Sequence, residues 1–304
     1  MDNIMKNVRV ILCPTLAIAE DSKIAFESQG LKVATCEAEF GASVVEGSSV
    51  LGPWATLAHH DTRSYNPPPC IWNTTGNGNI SPVIPDIILI SHLDLDCLGG
   101  VGLLIGYYNE NEQVFWKAAA HIDIAGPHRI LEVPEEARPK LRAFWAYNES
   151  HRQPQFPKDT TTDVTSVIAE YFIILEKLAN NDAELIKAGE DWENKKIEQT
   201  EGSLVYESGL VRGFAGPYFT AASYCGSDSK VRPCTISYST KKKSITLAFE
   251  AGKESPFSAV EIMQEIFGNE SGGHRGIAGT PRGGVYNVFD LTRVIEHVEA
   301  LMNK

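Results

Sequence analysis

The sequence predicts an α/β protein: a parallel-sheet N-terminal domain over residues 1–158, a helical connector over 159–200, and a smaller mixed α/β domain over 201–304. Three observations predict it. Residues 8–36 alternate strand, helix and strand, the pattern that builds parallel sheets. Residues 160–198 place apolar side chains at three- and four-residue spacing. Beyond residue 203 the pattern changes to short runs with period two. At 304 residues the chain is long enough for two domains.

Residues 8–12 read as a strand, 17–29 as an amphipathic helix ended by Gly30, and 31–36 as a second strand. A Gly/Ser-rich stretch covers 41–52. The next short strand runs into His59, His60 and Asp61, either metal ligands or surface residues of a loop. Asn66-Pro67-Pro68-Pro69 is a rigid extended loop, and 73–79 is a polar, glycine-rich excursion.

Residues 85–90 are apolar and β-branched, as in a buried strand. The strand ends in His92, Asp94 and Asp96 at alternating positions, followed by Gly99 and Gly100. Carboxylates with one imidazole at the carboxyl end of a strand suit a divalent cation such as Mn²⁺. Asp94 or Asp96 as the N-cap of a helix is the other reading. Residues 99–109 read as a small-residue helix. His121, Asp123 and His128 form a third polar cluster, either ligands or the end of a helix.

A short helix is expected over 137–147. Val164, Val167, Ile168, Tyr171, Ile174, Leu175 and Leu178 line one helical face, capped by Thr161 or Thr162, and a second helix follows over 183–200. These helices form either the connector or a layer of the first domain. Strands are expected at 204–206, 211–214, 218–224, 234–238 and 244–250, and helices at 258–267 and 291–302. Between those helices, residues 272–284 contain six glycines with His274, Arg275 and Arg282. Glycine lets backbone N–H groups approach an anion and Arg supplies bidentate contacts, so this run suits a phosphate cradle; a plain hairpin loop is the alternative.

Net charge is −12, and residues 1–200 carry all of it, with 16 Lys and Arg against 28 Asp and Glu; residues 201–304 hold 11 of each. A protein that grips long duplex nucleic acid shows a basic composition, which is missing here. A small phosphate-containing substrate or a short oligonucleotide fits better. Six scattered cysteines without a Cys-x-x-Cys pair suggest neither a zinc knuckle nor a disulfide framework, but reduced thiols in a cytoplasm. No run approaches the ~20 apolar residues of a membrane span, and the first residues lack the pattern of a signal peptide. Residues 8–13 and 244–250 are candidate sheet edges for pairing two copies into a homodimer.

Taken together these motifs resemble the DHH phosphoesterase superfamily, in which a DHH domain precedes a DHH-associated (DHHA1-like) substrate domain. Gly272-Gly273-His274-Arg275-Gly276-Ile277-Ala278-Gly279 is similar to that second domain's Gly-Gly-His-x-x-x-Ala-Gly signature. His92-x-Asp94-x-Asp96 is similar to the family's first metal motif, Ala58-His59-His60 to its Asp-His-His motif, and the segment around Asp123 to a later Asp-bearing motif. Two departures stand out. The His-His pair precedes His92, so the order is permuted, and Ala58 stands where the motif has Asp.

The resemblance implies a metal-dependent hydrolase of phosphate esters acting on a small nucleotide, short oligonucleotide or other phosphate compound. Two Mn²⁺ (or Mg²⁺) ions would activate a water. They would be held by His60, Asp61, His92, Asp94, Asp96 and Asp123, with His59, His60, Asp94 and Asp96 closest to the chemistry. Gly272, Gly273, His274, Arg275, Gly279 and Arg282 would bind the substrate phosphate, in a cleft between the domains. Ala58 keeps a second reading open: a non-catalytic nucleotide-binding or regulatory protein with a degenerate metal site.

Overall fold

The computed structural model describes residues 7–38, 56–57, 84–106, 112–125, 127–151, 156–157, 159–217, 221–224, 228, 230–273, 275–281 and 284–304. Among them are two sheets and eight α-helices, a mixed α/β protein. The chain divides into one unit of Met1–Ile124 with Val133–Glu190, and a second of Ala125–Glu132 with Asp191–Lys304.

The first unit is built on β1 (Arg9–Leu12), β2 (Val33–Cys36), β3 (Thr56–Leu57) and β4 (Ile87–Ile90), all parallel, in the order β3-β2-β4-β1. The short β5 (Thr162–Asp163) joins β1 antiparallel. β4 is central and its four side chains are buried, which explains its unbroken apolar run. Burying each contributes roughly 1.5–3 kcal/mol. Helix α1 (Leu16–Ser28) starts where Thr15 accepts a hydrogen bond from Ile18 N at 3.3 Å, and Gly30 at φ +78 turns the chain toward β2.

Helices α2 (Leu95–Leu104), α3 (Gln113–Ala125), α4 (Arg138–Ser150) and α5 (Thr165–Ala179) follow. The periodic face of α5 is the buried one, with Ile168, Tyr171, Phe172, Ile174, Leu175 and Leu178, and the Phe144 and Tyr171 rings of α4 and α5 lie 5.7 Å apart. α5 is thus a layer of the first unit. Helix α6 (Ala183–Glu201) carries the chain from one unit into the other.

The second unit holds a six-stranded sheet in the order β10-β11-β9-β8-β7-β6. Its strands are β6 (Leu204–Glu207), β7 (Val211–Gly216), β8 (Cys234–Ser239), β9 (Ser244–Phe249), β10 (Gly272–Gly273) and β11 (Ile277–Gly279). All neighbours are antiparallel except β7 and β8. Helices α7 (Ala259–Phe267) and α8 (Val288–Met302) share one core with the sheet through Ile262, Met263, Leu291, Val294 and Val298.

Several expectations are corrected. Residues 221–224 form a 3₁₀ turn rather than the end of a strand, because the Ser223 carbonyl accepts from Arg212 Nη1 at 3.0 Å and Thr235 Oγ1 at 3.2 Å instead of a ladder partner. Thr162 does not cap α5; it pairs with Leu12, and Asp163 Oδ1 accepts from Thr165 N at 3.1 Å. The helix placed at 99–109 begins at Leu95, so Gly99 and Gly100 lie inside it. β1 lies between β4 and β5, and β9 between β8 and β11, so neither offers an edge for pairing. Among the described residues no helix is long and apolar enough to cross a membrane.

Candidate metal centre

The parallel register brings Cys36 at the end of β2 opposite Ile90 at the end of β4. The residues just beyond those ends therefore converge. Glu37, His92, Asp94 and Asp96 each offer one ligand atom, and the four atoms lie within 4.8 Å of one another. Glu37 follows β2, His92 and Asp94 follow β4, and Asp96 lies in the first turn of α2. Ligands gathered at the carboxyl ends of neighbouring parallel strands are the usual arrangement of open α/β sheets.

Asp94 is the N-cap of α2 and also faces the cluster. Its Oδ1 accepts a hydrogen bond from Cys97 N at 3.3 Å and caps α2, while its Oδ2 lies 2.8 Å from His92 Nε2. His92 Nε2 is also 3.0 Å from Glu37 Oε2. On the other side of the ring, Ser91 Oγ lies 2.6 Å from Nδ1, and the Ser91 hydroxyl donates to the Glu37 carbonyl. With its own proton committed to that carbonyl, Ser91 Oγ accepts from Nδ1–H. This fixes the ring with Nε2 facing three carboxylates, as the outer-shell partners of metal-binding histidines do.

Electrostatics follow from this geometry. Burial opposes a charged His92, but hydrogen bonds to Asp94 and Glu37 outweigh it and push the imidazole up to about 12. Burial likewise raises Asp94, yet its hydrogen bonds with His92 and Asp96 hold it below the usual carboxylate range. The Glu37 side chain is 1% exposed and Asp96 is 3% exposed, whereas His92 and Asp94 stay open to solvent at 41% and 45%. Glu37 also adopts φ +54, a left-handed conformation that costs a non-glycine residue about 1–2 kcal/mol. Strain of this kind clusters at functional sites.

Three carboxylates and one imidazole suit a divalent cation of the Mn²⁺ or Mg²⁺ type. Sequence reasoning identified His92, Asp94 and Asp96 and missed Glu37. Its signal was an acid just past the second strand, one residue beyond Cys36, as His92 and Asp94 stand two and four residues beyond Ile90. Asp123 is not brought to the cluster. It is exposed on α3, where His121 and Asp123, two residues apart, do not share a face. His59, His60, Asp61 and Ala58, and the side chain of His128, lie outside the described residues.

In the second unit, β10 and β11 form the glycine hairpin, with Gly272 opposite Gly279 and Gly273 opposite Ala278. Gly273 has φ +141, and a Cβ there would lie 2.5 Å from Ala278 Cα, so only glycine fits. Arg275 is exposed, with Nε donating to Ser255 O at 3.1 Å and Nη2 to Pro256 O at 3.0 Å, contacts that tie the hairpin turn to the start of α7. His274 and Arg282 lie outside the described residues.

No family model matches the sequence, and no curated protein matches it. Among solved structures, a pGpG-specific phosphodiesterase, PggH, from Vibrio cholerae aligns with 90% of this chain and 99% of its own, at 10% identity and a TM-score of 0.39. An uncharacterized protein from Helicobacter pylori G27 aligns over 71% of this chain and 69% of its own, at 12% identity and a TM-score of 0.23. At such TM-scores the likeness carries no chemistry, which rests on the side chains themselves.

Proposed function

We propose that this chain is a divalent-metal-dependent phosphoesterase acting on a small nucleotide, a short oligonucleotide or another phosphate ester. The supporting observation is the four-residue set at the ends of β2 and β4, with Ser91 orienting His92 Nε2 toward three carboxylates. Glu37, His92, Asp94 and Asp96 would hold the ion. When bound, such an ion makes hydroxide available near neutral pH and offsets charge developing on a phosphoryl group. The residues contribute position: Asp94 is held by the start of α2, and Glu37 and Asp96 are shielded from water. His60 and Asp61 are proposed as ligands of a second ion, with His59 beside them, and Gly272, Gly273, His274, Arg275, Gly279 and Arg282 as the phosphate cradle.

The reading is tested by loading the purified protein with Mn²⁺, measuring metal content, and assaying generic phosphodiester and phosphomonoester substrates. Asp94→Ala and Asp96→Ala are each expected to lower activity at least a hundredfold and to reduce bound metal. Activity retained in both variants would sink the assignment. Ala58 favours the non-catalytic alternative. Nucleotide binding without bound metal and without turnover would establish it.

A further inference from the structure

Two nucleophilic side chains that the ligand set does not use adjoin the metal centre. Cys36 ends β2 and Cys97 lies in the first turn of α2. Both are free thiols, both are 0% exposed, and they stand 61 residues apart in sequence. Their contacts are reciprocal. Cys36 Sγ donates to the Cys97 carbonyl at 3.5 Å, Cys97 Sγ lies 4.0 Å from the Cys36 carbonyl, and the Cys36 thiol is a hydrogen-bond partner of Cys97. Among the described residues the other cysteines lie elsewhere: Cys13 packs in the core with Ala19 of α1, and Cys234 belongs to the second unit.

Each thiol is one residue from a ligand. Glu37 follows Cys36 and Asp96 precedes Cys97, and these are the two buried members of the cluster. Cys97 N also donates to Asp94 Oδ1 at 3.3 Å, so the same residue helps to hold a third ligand. A bond between the two sulfurs would tie together the backbones that carry Glu37 and Asp96. A disulfide holds its sulfurs about 2.05 Å apart, well inside the nonbonded contact of two thiols. Forming one therefore draws the end of β2 and the start of α2 toward each other. Metal–ligand distances tolerate changes of only ~0.2 Å, so this movement falls on the geometry of the cluster.

We propose that Cys36 and Cys97 are a redox switch on the metal centre: hydrogen peroxide joins them as a disulfide, and the cluster then releases its cation. The switch rests on the reading of Glu37, His92, Asp94 and Asp96 as that centre. One sulfur attacks a peroxide oxygen, the O–O bond breaks, and the thiol proton leaves with the departing oxygen as water, giving a sulfenic acid. The second sulfur displaces the sulfenic hydroxyl, the S–S bond forms, and the second thiol proton completes another water. Two thiols are oxidised and one peroxide is reduced to two waters. Asp94, bonded to Cys97 N, is open to solvent, so a water-sized oxidant reaches the turn that carries Cys97. The facing thiol and burial hold Cys97 well above the ordinary thiol range, which slows the step and keeps the pair reduced against mild oxidants.

The test uses the full chain. Metal-free protein is treated with hydrogen peroxide in EDTA, desalted and titrated with Mn²⁺, with the free ion followed by electron paramagnetic resonance. A parallel sample is alkylated, digested without reductant and analysed by mass spectrometry. The expected results are a peptide pair linked through Cys36 and Cys97, Mn²⁺ affinity lowered about tenfold or more, and recovery after dithiothreitol and a second desalting. That recovery is read in the wild type and needs no variant to fold. Cys36→Ala and Cys97→Ala should each keep their Mn²⁺ affinity through the peroxide step, whereas Cys13→Ala should respond as the wild type does. Absence of the linked peptides would overturn the switch, as would an equal loss of affinity in both Cys36→Ala and Cys97→Ala. Linked protein that binds Mn²⁺ as tightly as the reduced form would also overturn it and leave the metal centre standing. Reduced protein that binds no Mn²⁺ would reject the metal centre and the switch with it. Reversible loss of Mn²⁺ from a chain that turns over no phosphate ester would uphold the switch and reject the phosphoesterase.

Discussion

Glu37→Gln isolates the ligand that only the fold reveals. The substitution keeps the size of a side chain that is 1% exposed and removes one of three carboxylate charges around His92 Nε2. An ion present at a hundred times its dissociation constant stabilises the folded state by about 2.7 kcal/mol. For a domain of ~150–250 residues this raises the melting temperature by about 5–10 °C. Losing one charged ligand is expected to weaken the ion about ten- to a hundredfold, since affinity follows ligand charge count. At the same metal concentration the stabilisation falls to about 1.4 or 0.4 kcal/mol. The metal-induced shift of Glu37→Gln should thus be about half that of the wild type or less. Melting is followed by dye fluorescence with excess MnCl₂ and with EDTA, and the readout is the difference between the two, so any effect on the metal-free protein cancels. Equal shifts in the two proteins would remove Glu37 from the site; no shift in the wild type would remove the site.

Gly189→Ala sets propensity against packing. Alanine gains about 1 kcal/mol in a helix interior, but the new Cβ would lie 2.5 Å from Ala143 N and 2.7 Å from its Cα, backbone that cannot yield cheaply. Urea denaturation should show net destabilisation of about 1–3 kcal/mol, and a gain in stability would contradict the close approach of α4 and α6. Asp163 reports on pH. Its modest burial raises its carboxyl, but bonds from Thr165 and Arg9 outweigh this and hold it below the usual range. Its stabilisation is therefore present above the unfolded value near ~4 and is lost as pH falls through the lower folded value. At 45% exposure the effect is small, so Asp163→Ala should cost about 1 kcal/mol at pH 7. That difference should close in melts taken toward pH 3, and a pH-independent difference would exclude the ionised carboxylate as its source.

Elements whose signal is local were legible. The β4 run, the helical face of α5 and the alternation in β9 rest on periodicities a short window contains, and each forms where expected to within a few residues. Apart from the start of α2, which the local cap at Asp94 sets, the misreadings share one cause, partners distant in sequence. Thr162 belongs to a strand because Leu12 lies beside it, and residues 221–224 turn because Arg212 and Thr235 take the Ser223 carbonyl. β1 and β9 lost their edges to β5 and β11, segments of two and three residues too short to announce themselves.

The stretch from Ile90 to Asp96 determined by itself where a cation would be sought, since a buried strand ending in alternating His and Asp is a statement of residue type and spacing. Whether those side chains meet, and what joins them, was a tertiary decision. Parallel pairing of β2 with β4 set Cys36 against Ile90, 54 residues away, and so delivered Glu37 to His92. The same holds in the second unit. There a single backbone bond from Tyr286 N to Lys243 O joins the segment before α8 to the β8–β9 turn, 43 residues away in sequence. Long-range register acts between backbones, and the side-chain pattern of either strand does not record which residue will stand opposite.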